Sequence, residues 1–174
     1  MKLLKLSILL MLVINCDGKT KTEEKAVDNN KQKKKEITAK AIEQFKYNDY
    51  VLSSDGEKAV RDWSLFQELS TQTSYLKSAD ITFFTDKKDT LKVFLDSLKS
   101  TVPSVINTEP VNARLSALET KLLKLNNDLV LDNYSTESKL TSIKEYLVAN
   151  SNLIFVINKK IEFDKNDVGR PEDE

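Results

Sequence analysis

Few side chains in this chain could do chemistry, and the gaps are informative. There is no histidine among the 174 residues. Ser-His-Asp and Cys-His nucleophilic machinery are therefore excluded, as are histidine metal sites and the Glu-x-x-His pairs of di-metal bundles. Only three glycines occur, none in a GxGxxG or GxxxxGK[ST] pattern, so no phosphate-cradling loop can be built. Asp164, Asn166 and Gly169 open like a calcium loop, but Val168 occupies the fifth position, where an oxygen ligand belongs. Asn133-Tyr134-Ser135 matches a glycosylation acceptor but is not expected to be used as one. The carboxylate pairs Glu43 and Asp49, and Asp86 and Asp89, read as surface charges and helix caps. The expectation is a non-enzymatic chain with no catalytic residue, no metal site and no cofactor.

Two features could still carry function. Phe45, Tyr47, Tyr50, Trp63 and Phe66, with Phe83 and Phe84 further on, form an aromatic set. Such residues near a bundle end either make a ligand slot or partner surface, or seal the core where a first helix folds back. Asn150 falls on a heptad seam described below. A polar residue there either fixes register and oligomer state or sits satisfied at a bundle edge.

The only cysteine, Cys16, sits where an apolar run ends, in "MLVINCDGKT". One cysteine forms no internal disulfide. Lys2 and Lys5 give a positive start, and residues 6–14 are almost unbroken apolar sequence. That run is too short for a bilayer span, which needs about 20 residues, but has the size of a signal-peptide core. With Cys16 closing it, the segment resembles bacterial lipoprotein signal peptides of the type II class. Val13, Ile14 and Asn15 occupy the three positions before the cysteine, in the looser manner of Bacteroidota lipoproteins. The resemblance covers residues 1–16. It implies cleavage before Cys16, a diacylglycerol on its sulfur, and attachment to a membrane through that lipid.

Residues 17–36 hold seven lysines, five acids and only two apolar residues, Ala26 and Val27. Such a segment cannot bury enough apolar surface to offset its chain entropy, so residues 16–36 are expected to be a disordered tether. Lys31, Lys33, Lys34 and Lys35 are placed to touch anionic head groups. The formal net charge of the chain is zero, with both signs interspersed. No basic face argues for nucleic acid. Nothing in the sequence sets an oligomeric state.

Elements able to position these residues are helical, as a Lys/Glu/Leu-rich, glycine-poor composition favours. Ile37, Ala41, Ile42 and Phe45 predict a short helix near residues 37–48. "SSDG" at 53–56 reads as a turn. Ala59, Trp63, Phe66, Leu69, Thr73 and Leu76 then step as one face of a long helix starting near Glu57. "ITFFTDKKD" is ambiguous between helix extension and a loop plug. Thr85 or Asp86 caps a helix carrying Leu91, Phe94, Leu95, Leu98 and Val102, which Pro103 ends.

Thr108 caps a further helix, with Val111, Leu115, Leu118, Leu122, Leu125 and Leu129 stepping 4, 3, 4, 3, 4. After a cap at Ser135 or Thr136, Leu140, Ile143, Leu147, Asn150, Ile154, Ile157 and Ile161 step 3, 4, 3, 4, 3, 4. Each is a heptad seam, and the short linker makes the two helices antiparallel neighbours. The fold expected for residues 37–163 is all-α: an antiparallel bundle of about four helices with a short extra N-terminal helix. A polar, disordered tail is expected over residues 164–174.

These expectations give a membrane-anchored bacterial envelope lipoprotein with a structural or protein-interaction role, its partner another envelope protein. The alternative is a small-ligand binding or sensor module with a pocket between helices.

Overall fold

The structure, a computed structural model, describes residues 36–166. The expected signal segment, the tether up to Lys35, Cys16 and the tail from Asp167 onward lie outside the described residues. Six helices run in order: α1 (Ala39–Glu43), α2 (Ser54–Ala59), α3 (Ser64–Lys77), α4 (Lys88–Ser100), α5 (Glu109–Val130) and α6 (Thr136–Asn166). Single 3-10 turns occur at Phe83–Thr85 and Ser104–Ile106. There is no strand among the described residues, so the domain is all-α.

The helices α5 and α6 form the dominant pair. Lys121 bonds Glu145, Lys124 bonds Ser142, and Lys139 bonds the Leu129 carbonyl. Partners rise on α6 as they fall on α5, so the two are antiparallel. All six seam residues of α5 from Val111 to Leu129 are buried. On α6 the buried face is Leu140, Ile143, Tyr146, Leu147, Leu153 and Ile157, while the seam members Ile154 and Ile161 are only partly covered. Each fully buried Leu or Ile contributes about 1.5–3 kcal/mol of transfer free energy, so these two helices hold the largest apolar share of the core.

The other two long helices complete an up-and-down arrangement. Asn126 of α5 donates to the carbonyls of Phe84 and Asp86, just before α4 (both 2.9 Å). Lys99 near the end of α4 meets Glu119 at 2.7 Å, so α4 and α5 are also antiparallel. At the start of α3, the Trp63 indole N–H reaches the Leu98 carbonyl and the Thr101 hydroxyl at the end of α4. "ITFFT" is a plug: Phe84 is fully buried and packs edge-on against Tyr146 at 5.0 Å.

Four local readings need correction. The long helix expected from Glu57 is two helices, broken over residues 60–63. Apolar spacing continues across the break, but the freed groups find other partners. Gln67 donates to the Val60 carbonyl, and Trp63 leaves the helical path to bond α4. "SSDG" is a helix start, not a turn, because the Ser53 hydroxyl accepts from the Gly56 N–H at 3.0 Å and caps α2. The cap position of α4 is Lys87, with no side-chain cap bond. The Ser135 cap of α6 is present, accepting from Ser138 N–H at 3.1 Å, and α6 runs on through Asn166, past the expected boundary at Phe163.

Ala79 closes α3 with φ of +68°. The Asp80 N–H bonds the Tyr75 carbonyl and the Ala79 N–H bonds that of Leu76. This is the Schellman pattern, with alanine where glycine is usual.

Candidate functional site

Between α1 and α2 the chain is irregular, and α6 holds it there as a strap over residues 46–53. The Ser151 hydroxyl accepts from Tyr50 N–H at 2.8 Å and donates to the Asn48 carbonyl. One heptad on, the Asn158 amide accepts from Ser53 N–H at 2.9 Å and donates to the Val51 carbonyl at 2.8 Å. A further heptad on, Lys165 pairs with Asp55 of α2 at 2.9 Å. Between the first two, Tyr50 packs on Phe155 with ring centroids 4.8 Å apart. Side chains of α6 thus grip strap backbone, a carbonyl and the N–H two residues later at each point. Gly56 is needed for this approach. A Cβ there would stand 2.8 Å from the Asn158 amide oxygen that bonds the strap.

On the other side of the strap lies a groove of about 860 Å³, bounded by α2, α3 and the middle of α6. Its floor includes Val60, Leu52 and Ile154. Its α3 wall presents Gln67, Ser70, Ser74 and Lys77, and α6 contributes Asn150. Rim charges are mostly matched: Lys77 pairs with Asp49 at 2.6 Å and Lys58 with Asp55 at 2.8 Å. Hydrogen bonds from Lys58 and Lys165 draw the partly exposed Asp55 carboxyl down to about 2. A smaller hollow of about 430 Å³ lies beyond, lined by Ile42, Phe45, Tyr47 and Asp49 among others. Burial, and then the Asp49 carboxylate, push the Tyr47 phenol up to about 12, so it stays protonated at neutral pH.

The expected aromatic set divides in two. Trp63 and Phe66 are fully buried and stacked at 4.9 Å with planes 14° apart, as part of the core. Phe45, Tyr47 and Tyr50 are partly covered and belong to the strap and the hollow. Asn150 is only 8% exposed yet its side chain makes no hydrogen bond among the described residues, and it lines the groove.

The most chemically suggestive cluster was not singled out from the sequence. On the α5–α6 interface, the Asp128 carboxylate accepts from the Ser142 hydroxyl and from the Lys124 ammonium at 2.9 Å. Lys124 also donates to the Ser142 oxygen at 2.6 Å. A serine beside a lysine has the composition of a Ser-Lys acyl-transfer pair, which needs a neutral amine as base. Here Lys124 is pushed the other way. Its bond to Asp128 outweighs partial burial and, with Glu145, raises its pKa, so it stays an ammonium. Burial pushes the Asp128 carboxyl up, but bonds from Ser142, Lys124 and Asn127 outweigh this and hold it below its usual value. With Ser142 only 1% exposed, the cluster acts as an electrostatic clasp. The i, i+4 spacing of Lys124 and Asp128 was readable; Ser142, across a helix turn, was not.

No helix among the described residues is long and apolar enough to cross a membrane, and none of their acidic or thiol groups cluster as a metal site. The chain matches no protein-family description, no curated protein and no solved structure.

Proposed function

We propose that this chain is a lipid-anchored protein of the bacterial cell envelope, with a non-enzymatic, protein-interaction role carried by its helical bundle. The observation that carries the reading is the pattern of residues 1–16: a basic start, a short apolar run and Cys16 at its end. The well-filled interior supports an interaction role. The α5 seam is buried throughout and most of the α6 seam with it, and no fully enclosed side-chain polar atom among the described residues lacks a partner. The partner is another envelope protein. The groove beside the strap favours a second reading, a small-ligand binding or sensor module, because its volume falls within the range of about 300–1,000 Å³ typical of ligand sites.

Anchoring rests on acyl-chain burial. Each buried methylene is worth about 0.8 kcal/mol, and one chain alone binds marginally, whereas a diacylglycerol supplies two. The lysines of the tether add an attraction that salt screens. Membrane fractionation at high salt tests this: wild type is expected in the membrane pellet, and Cys16→Ser in the soluble envelope fraction. A Cys16→Ser protein that stays in the pellet would refute lipid anchoring.

A further inference from the structure

Among the described residues, Asn150 is the one buried polar side chain of the groove that the fold leaves without a partner. The residue is only 8% exposed, yet its side chain has no hydrogen-bond partner among the described residues. No fully enclosed side-chain polar atom among the described residues lacks a partner, so its amide opens to the groove it lines. An amide offers one acceptor and two donors. That matches a peptide backbone, as Asn158 shows two turns away by holding a carbonyl and an N–H of the strap together.

The groove's wall and rim agree with that chemistry. Gln67, Ser70, Ser74 and Lys77 form one stripe of α3, about 15 Å long at 1.5 Å per residue. This is the length of four or five residues of extended chain at about 3.3 Å each. The stripe is polar, so it favours hydrogen bonding over side-chain burial. Two exposed rim side chains, Arg61 and Glu57, make no ion pair among the described residues, so one charge of each sign is open to a ligand at the groove's edge.

We propose that this groove binds an extended peptide, with Asn150 pairing its backbone and Arg61 its carboxylate. Glu57 is then the site for a basic group of the same peptide. The proposal rests on the interaction reading of the bundle and not on the lipid anchor.

The test starts from a displayed library of random 12-residue peptides, selected on the full chain in detergent. Enriched sequences are then made synthetically and titrated by fluorescence anisotropy. Peptides bearing a carboxylate are expected to bind. Asn150→Leu and Arg61→Ala should each weaken binding roughly tenfold, the size of one well-made hydrogen bond to a polar or charged group. Arg61→Ala should also flatten the salt dependence. Ser74→Trp, which fills the groove from an exposed position, should abolish binding. None of the three variants is expected to melt below wild type, and Asn150→Leu is expected at or above it, which separates lost binding from lost fold. Backbone N-methylation of the peptide should abolish binding, and replacing a terminal carboxylate by an amide tells a chain end from an acidic side chain. Failure to enrich any peptide, binding that survives all three variants, or equal competition by free amino acids would overturn the proposal. Photo-crosslinkers at position 74 and at the distant exposed position 93 separate this failure from that of the interaction reading. An envelope protein captured at 93 but not at 74 refutes the groove and spares the interaction role. Capture at neither position, with no peptide enriched, refutes both.

Discussion

Replacing Asp128 by asparagine tests whether the α5–α6 clasp is electrostatic. The carboxylate is almost fully covered, with 5% of its side chain exposed, and accepts from Ser142, Lys124 and Asn127. Asparagine keeps the shape and an acceptor for Ser142 but loses the charge. Hydrogen bonds to charged groups are worth about 1.5–3 kcal/mol and neutral ones about 1. Lys124, with 45% of its side chain exposed, regains water when its partner is neutral, which reduces the loss. Asp128→Asn should therefore cost about 1–2 kcal/mol at pH 7, or a melting point lower by ~4–8 °C for a domain of this size.

The pH dependence is the sharper readout. A carboxyl whose folded pKa lies below its unfolded value stabilises the fold above that unfolded value, near 3.8 for Asp128. The contribution is lost as pH falls through 3.8 toward the lower folded pKa. Glu145, lowered chiefly by its bond to Lys121, adds a second contribution of the same sign. Urea unfolding followed by helical circular dichroism at pH 7, 5, 4 and 3 should show wild type losing stability more steeply below pH 4 than Asp128→Asn. Equal stability at pH 7 together with parallel acid limbs would refute the clasp.

Gly56→Ala should destabilise by about 1–3 kcal/mol, since the new Cβ meets the Asn158 amide and unseats the strap. Hydrogen exchange should quicken at Tyr50 and Ser53, and unchanged exchange there would show that the approach is not tight. Ala79→Gly should stabilise by up to about 1 kcal/mol, by relieving a left-handed alanine; a lower melting point would contradict the strain. Leu118→Asp, at a fully buried position, should unfold the domain, whereas Ile154→Asp, at the partly covered groove floor, should leave it folded but weakened. Equal effects in thermal melts would mean the two seams are buried alike.

The α5 seam was legible because a leucine at every third or fourth position has one physical solution, a buried stripe. The same logic failed between Ala59 and Trp63. Spacing alone cannot register that Trp63 bonds the Leu98 carbonyl, 35 positions on. Ile154 and Asn150 kept heptad spacing, but on this part of α6 the seam faces the strap and groove as well as α5. The strap's anchors, Ser151, Asn158 and Lys165, form a heptad stripe of their own. Their partners are backbone groups more than 100 residues away and residue 55 of α2. Backbone acceptors carry no sequence signal, so the stripe was visible only as polarity. The groove depends on that stripe and was not legible for the same reason.

Intact mass of the protein purified from its own envelope bears most directly on the proposed anchoring. The expected species begins at Cys16 and carries the added mass of a diacylglycerol, with or without a further acyl chain. A species with an unmodified Cys16 thiol, or one that retains residues 1–15, would contradict it.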